Sequence, residues 1–242
     1  MNDVKLCVWH LPHALGVLQQ GIHAVDAPDE AVTHLLLPVP LFDTELLPLL
    51  LAALPPTVTV LGGKLQHPLL ERYPRMDLLQ DDRYLAENAA LTAEAALRLA
   101  GNYLSVRFAD LPVLVIGWGR IGKCLAQQLG RLGAAVSVAA RKEADRAMIA
   151  ALGYSPLSME QMYPSLPRFH VIFNTVPAPI LSQEALQACR HGCVKIDLAS
   201  VRGMAGDDVI HARGLPGKLL PEAQETLIAD TVLRLLGKEA SS

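Results

Sequence analysis

The stretch Val113–Gly130, VLVIGWGRIGKCLAQQLG, places glycines at 117, 119 and 122 between an apolar run and a segment with apolar residues at helical spacing. VLVIG reads as a buried strand, and Ile121, Leu125, Leu129 and Leu132 share one helical face able to pack on a sheet. In such a strand–turn–helix unit each glycine has its own task. Gly117 permits the tight turn, Gly119 lets the backbone approach a pyrophosphate, and Gly122 lets the helix lie close on the strand. The amino end of the helix, where Arg120 and Ile121 stand, favours negative charge. Three glycines alone recur by chance; this context reads as a dinucleotide cradle.

The next strand bears on which dinucleotide. A chain that prefers NAD places a carboxylate about 20 residues on, where it accepts hydrogen bonds from the ribose. Here AVSVAARKEAD ends its strand with Arg141 and Lys142. A carboxylate repels a 2′-phosphate, whereas a guanidinium offers it a planar fork of donors, so the expected cofactor is NADP. The bland alternative is that Arg141 and Lys142 only begin a solvated helix.

Around this unit the pattern repeats. VKLCVWHL, THLLLPVPLF and TVTVLGG read as short buried strands separated by helical or turn-rich segments, with Pro38 and Pro40 ending the second near Leu37. Asp82–Gly101, rich in alanine and leucine and closed by glycine, reads as a long helix. Further strands fall near Val113–Gly117, Ala135–Ala140, Val171–Thr175 and Val194–Leu198. The segment after Pro221 carries Leu227, Ile228, Val232, Leu235 and Leu236 at helical spacing. Alternating strands and helices imply parallel sheets. The expected fold is α/β, with two Rossmann-like domains of doubly wound, mainly parallel sheets joined by the long helix, and a C-terminal helix packing back toward the N-terminal domain. The expected boundaries are a flavodoxin-like substrate domain at 1–83, a connecting helix at 84–105, a nucleotide domain at 106–218 and a closing helix at 219–242.

Composition narrows the function. A net charge of −3 with acids and bases mixed along 242 residues offers no basic stripe, which argues against nucleic acid and anionic membranes. The segment MNDVKLCVWH lacks the sections of a signal peptide, and no apolar run approaches the ~20 residues that span a bilayer, so a cytoplasmic location is expected. Cys7, Cys124, Cys189 and Cys193 form no zinc set and read as reduced, packed thiols; no metal is expected.

LLQDDRYLAENAALTAEAAL, VLVIGWGRIG, VIFNTVPAPIL, KIDLAS and GLPGKLLP occur in the order and at about the spacing found in the A-type, dinucleotide-binding subunits of dipicolinate synthases. The chain resembles that family well over Asp77–Leu236 and loosely before. The resemblance implies two α/β domains and oxidation of a dihydrodipicolinate-type cyclic dicarboxylate to dipicolinate, with NADP as hydride acceptor. It also implies a setting in sporulation and, as partner, a flavoprotein-like second subunit; a homodimer is expected by analogy. The likeness of the nucleotide half to D-2-hydroxyacid dehydrogenases implies that Thr175, Val176, Pro177 and Ala199 flank the nicotinamide and its ribose.

By the rule that ligands bind beyond the carboxyl ends of parallel strands, Asn174, Asp197 and Ser200 join the candidates. Asn174 is read as a cofactor residue, and Asp197 and Ser200 as catalytic ones. For carboxylates the basic groups beside glycine turns are Lys64, Arg202 and Lys218, with Arg202 also read as catalytic. Glu94 is the first candidate for a catalytic group on the connecting helix, with Thr92 beside it for substrate, although Glu94 and Arg98 also suit a solvated i,i+4 pair. Among eight histidines, His10 at the end of the first strand is the one singled out. The chain departs from the family where LASVRGMAG replaces the usual Pro-Gly-Gly, and where PEAQE, Pro221–Glu225, replaces Pro-Lys-Thr-Ala-Gly. Two function classes therefore stand: a catalytic component of an oxidoreductase, and a non-catalytic or regulatory dinucleotide-binding component of a complex.

Overall fold

The computed structural model describes residues 4–41 and 44–238; Phe42, the last residue of the second predicted strand run, lies outside them. The chain divides into two compact units, Met1–Asn88 with Pro221–Ser242, and Ala89–Leu220.

In the first unit β1 (Lys5–Val8), β2 (His23–Val25), β3 (His34–Leu36), β4 (Thr59–Gly62) and β5 (Arg75–Asp77) form one parallel sheet in the order β2-β1-β3-β4-β5. This is the flavodoxin-like order, in which the winding reverses between the first and third strands. Helix α1 is Pro12–Leu18 and α2 is Leu47–Ala52. Cys7, Leu35 and Val60 pack with Leu47, Leu50 and Leu51 of α2, while the alternate strand residues Leu6, Val8, Leu36 and Leu61 are buried as well. Burial on both faces is why these strands read as continuous apolar runs. It also pushes the Cys7 thiol up to about 11, with Asp26 and Asp29 adding to the shift.

Helix α3 (Asp82–Gly101) carries the chain from the first unit into the second. Asp81 accepts the Tyr84 amide at 2.7 Å and so caps its first turn. Ala93, Ala96 and Ala100 give it a narrow face that enters the second unit's core. The helix has the predicted bounds Asp82–Gly101 and ends short of 105, the expected boundary of the connecting segment.

The second unit holds β6 (Pro112–Ile116), α4 (Arg120–Arg131), β7 (Ala135–Ala139), α5 (Glu143–Ala151), β8 (Ser155–Leu157), α6 (Met159–Ser165), β9 (Val171–Asn174), α7 (Gln183–Gln187), β10 (Val194–Asp197), β11 (Val209–His211) and α8 (Leu215–Leu219). Its six strands are parallel in the order β11-β10-β9-β6-β7-β8. Counted within the unit this is 3-2-1-4-5-6 read from the other edge, the Rossmann order. Alternation along β6 serves two cores. Val113 and Val115 pack with Leu125 and Leu129 of α4, and Leu114 and Ile116 pack with Met162 of α6 and Leu186 of α7. On α4 the predicted face is shifted: Gly122, Leu125, Ala126 and Leu129 are buried, whereas Leu132 is 49% exposed because the helix closes at Arg131.

The last helix, α9 (Pro221–Leu235), returns to the first unit. Its buried residues are Leu227, Ile228, Ala229, Thr231, Val232 and Leu233, so Leu233 takes the place predicted for Leu235 and Leu236; its methyls sit where a Cβ on Gly21 would reach within 3.3 Å. Helix α1 has no side-chain cap of its own, and Glu225 supplies one, accepting the amides of His13 and Ala14 at 2.8 and 3.0 Å. Gln224 donates to the Val39 carbonyl at 3.4 Å. The departure PEAQE therefore has a structural use: it docks this helix.

Arg234 of α9 donates to Asp81 at 2.7 Å, and with the Tyr84 amide it holds the Asp81 carboxyl below its usual range. A depressed carboxyl contributes stability that is present above its unfolded pKa and is lost as pH falls through the folded value. Asp81→Ala should lower unfolding free energy by about 1–2 kcal/mol at neutral pH, chiefly through the lost cap. In urea titrations the gap between variant and wild type should shrink once pH falls below about 4.

Candidate functional site

In the second unit the winding reverses between β6 and β9, and the loops beyond their carboxyl ends open a cleft of about 320 Å³. Its lining includes Gly117, Trp118 and Gly119 from the first turn, Arg141 and Lys142 after β7, and Thr175, Val176 and Pro177 after β9.

Gly117 has φ +105°, a conformation that L side chains rarely adopt. A Cβ at Gly122 would lie 2.2 Å from the Gly117 carbonyl oxygen, so the helix can meet the turn only without one. Thr175 Oγ1 donates to the Ile116 carbonyl at 2.9 Å and stitches the ends of β6 and β9. At Gly119 a Cβ would meet nothing within 4 Å, which leaves that backbone accessible from the cleft side. Gly119 is the N-cap residue of α4 and no side chain caps the helix. Arg120, exposed, and Ile121, half-buried, begin the helix, whose amino end favours an anion. These residues fit a dinucleotide's pyrophosphate.

Arg141 and Lys142 are both exposed at the rim. Behind them Arg146, which sequence reasoning passed over, donates to the carbonyls of Ala140 and Arg141 at 2.9 and 2.7 Å and fixes the loop's path. Asp145 also lines the cleft, an acidic neighbour hidden from the usual 20-residue spacing because it sits on α5, beyond the strand end. Trp118 is a further wall residue, with Lys123 over its ring at 5.9 Å and Tyr154 edge-on at 6.4 Å.

The β9 and β10 loops are organised around one carboxylate. Asp197 is 1% exposed; its Oδ1 accepts the Asn174 side chain at 2.8 Å and the Ala199 amide at 3.2 Å. Its Oδ2 accepts the Gly203 and Met204 amides at 2.7 and 3.2 Å. Asn174, fully buried, also donates to the Val176 carbonyl and accepts its amide, both at 3.1 Å. Gly203 is required here, since a Cβ would fall 2.2 Å from the Asn174 nitrogen. Asp197 and Asn174, read from sequence as site residues, have their polar atoms committed to holding the loops that carry Val176, Ala199 and Arg202. Ala199 is itself buried.

A second cleft in this unit, about 590 Å³, is lined by Arg202, Gly203, Tyr163, Ser182, Asp207 and His211, among others, and Ile180 lines both clefts. His211 Nδ1 lies 3.6 Å from Asp197 Oδ2. Sequence reasoning missed His211, because β11 is a three-residue edge strand with no period to read.

The other candidates are spread out. Glu94 is paired with Arg98 at 2.7 Å in a solvent-facing i,i+4 bridge, 47% and 57% exposed, and Thr92 is buried on α3. Ser200 is exposed beyond β10, and Lys218 is exposed on α8. In the first unit Lys64, exposed beyond β4, and His10, beyond β1, are the non-glycine residues with positive φ among those described, at 58° and 57°. His10 stacks on Trp9, and both line a separate cleft of about 210 Å³ at the β1/β3 reversal with Leu37, Pro38, Pro40 and Leu41.

The strand order and the glycine turn define the class: a doubly wound α/β protein with the Rossmann-type dehydrogenase fold. In sequence the chain is similar to the A-type subunit of dipicolinate synthase from Bacillus subtilis (strain 168), 28% identical over 169 residues. That match covers 66% of this chain and 57% of the relative. In structure it is similar to the A-type subunit of dipicolinate synthase from Bacillus halodurans, with a TM-score of 0.79, 21% identity and 97% of each chain covered. The transhydrogenase from Sinorhizobium meliloti is also similar, with a TM-score of 0.71, 16% identity and coverage of 89% of this chain and 77% of that one. No protein-family model matches the chain. No described helix is long and apolar enough to cross a membrane.

Two glycine substitutions separate packing from binding. Gly122→Ala should lower the melting temperature by several degrees, since its Cβ meets backbone and overpacking costs about 1–3 kcal/mol. Gly119→Ala should leave the melting temperature nearly unchanged and weaken nucleotide binding in a fluorescence titration.

Proposed function

We propose that the chain is the dinucleotide-binding, oxidoreductase-type subunit of a dipicolinate synthase-like enzyme, taking NADP and a cyclic dicarboxylate. The observation that carries this reading is the cleft at the β6/β9 reversal, with its glycine turn and the Arg141–Lys142 rim, in a chain similar to a dipicolinate synthase component. The first-turn amides at Gly119, Arg120 and Ile121 hold the pyrophosphate, and Gly117 and Gly122 let helix and turn close around it. Arg141 and Lys142 hold the 2′-phosphate. Thr175, Val176 and Pro177 flank the nicotinamide end, and Asp197 with Asn174 keeps their loop in place.

When bound, the nicotinamide supplies a hydride acceptor. The chain's own part is then positioning. Oxidising a dihydropyridine ring to an aromatic one removes a hydride, for the nicotinamide, and a proton, released to water, and is driven largely by aromaticity, so the chain must bring the ring carbon beside the cofactor and hold two carboxylates. Among the basic candidates Arg202 stands on a cleft that adjoins the nucleotide cleft at Ile180. Within the second unit, Thr92 and Lys218 are proposed as substrate contacts and Glu94 and Ser200 as catalytic groups; Lys64 of the first unit is proposed separately as a substrate contact. We assign a homodimer to the working enzyme, joined by a flavoprotein-like second subunit, in a spore-forming cell's cytoplasm. The alternative, a regulatory dinucleotide-binding role, predicts cofactor binding without turnover.

The test is a pair of titrations with NADP and NAD. Wild type should prefer NADP, and Arg141→Ala should lose at least tenfold in NADP affinity while NAD affinity changes less than twofold, as a lost charge-assisted phosphate contact requires. Equal affinities unchanged by the substitution would defeat the NADP assignment. Incubation with NADP and the cyclic substrate formed from aspartate semialdehyde, with and without the second subunit, should yield NADPH; absence of NADPH in both with binding intact favours the regulatory reading.

A further inference from the structure

We propose that the 590 Å³ cleft beside the nucleotide site is a carboxylate site, in which Arg202 and an Asp197-backed His211 hold one carboxylate of a flat cyclic acid. The choice of a cyclic dicarboxylate as ligand rests on the proposed function; the site rests on its own geometry.

Three observations build it. First, Asp197 faces His211 from behind: with Nδ1 turned toward a buried carboxylate at 3.6 Å, the other ring nitrogen is the one left to the cleft that His211 lines. A ring N–H on that side is a donor to a carboxylate bound in the cleft. The same Asp197 binds the Gly203 and Met204 amides, so the loop carrying Arg202 and the ring of His211 are referenced to one group. Second, Arg202 is exposed on this wall and has a rigid fork of donors suited to a carboxylate. Third, the remaining wall includes Pro179, Ile180, Leu181 and Met204, apolar surface of the kind that receives a ring.

The other titratable groups on the cleft are Tyr163, whose hydroxyl donates to the Ile180 carbonyl at 2.9 Å, and Asp207. Asp207 lines the same cleft and its negative charge opposes an anion bound there.

The experiment is a calorimetric titration of the full chain with pyridine-2,6-dicarboxylate in metal-free buffer without nucleotide, repeated for Arg202→Gln and His211→Gln. A parallel NMR titration follows the imidazole resonances. The expected result is saturable 1:1 binding, weakened at least tenfold in each variant, with the His211 ring signal shifting as ligand is added. Asp207→Asn should tighten binding about threefold, as a rim charge does. Arg202 is exposed, so its variant folds and keeps the test decisive if His211→Gln disturbs the edge strand. Binding that is unchanged in Arg202→Gln, or absent in wild type, overturns the site. A separate NADP titration distinguishes the two readings. Nucleotide binding without dicarboxylate binding overturns this inference alone. Dicarboxylate binding that depends on Arg202, with no nucleotide binding, supports it and removes the cofactor reading.

Discussion

Everything around the cleft at the β6/β9 reversal depends on how closely α4 approaches the turn after β6. A Cβ at Gly122 would lie 2.2 Å from the Gly117 oxygen, a separation that real Cβ atoms do not show. The missing side chain lets the helix start directly against the strand end, which brings its uncapped amides to the edge of the sheet where β6 and β9 part. Thr175 then ties the two strands together at the level of the turn. One absent methyl group thus fixes helix, turn and neighbouring strand in a single arrangement.

A second organising element is polar. A buried carboxylate costs several kcal/mol unless it is fully hydrogen-bonded, and Asp197 meets that demand with three amides and the Asn174 side chain. The amide donors come from Ala199, Gly203 and Met204, so satisfying one charge folds the whole β10 loop. His211 adds a fifth neighbour at 3.6 Å. Asp197 is therefore better described as a positioning residue than as a reacting one, and its position places Arg202 and His211 on a common wall.

The local periods of the chain were enough for much of this. The α3 bounds, the four central strands of the second unit and the glycine turn follow from apolar runs, an alanine-rich segment with a terminal glycine, and fixed turn spacing. Those signals arise from short-range demands, burial on both faces of a strand and backbone conformation at a turn, which leave their mark within a few residues. The edge strands β2, β5, β8 and β11 left no such mark: each has three residues and only partial burial. Leu132 and Leu235 misled for a related reason, since helical spacing continues past the point where a helix ends or turns its face.

By itself, then, the sequence determined that the chain is two doubly wound α/β units with a nucleotide-type turn in the second, because those features are written in neighbouring residues. Only the tertiary structure decided what the individual polar residues do. Glu225 of the altered PEAQE segment caps α1, more than 200 residues away in sequence, Arg234 holds Asp81, and Asp197 gathers Asn174, Gly203 and His211 from three segments. A carboxylate's partner is set by where the fold brings donors together, and that is a long-range outcome with no local pattern to announce it.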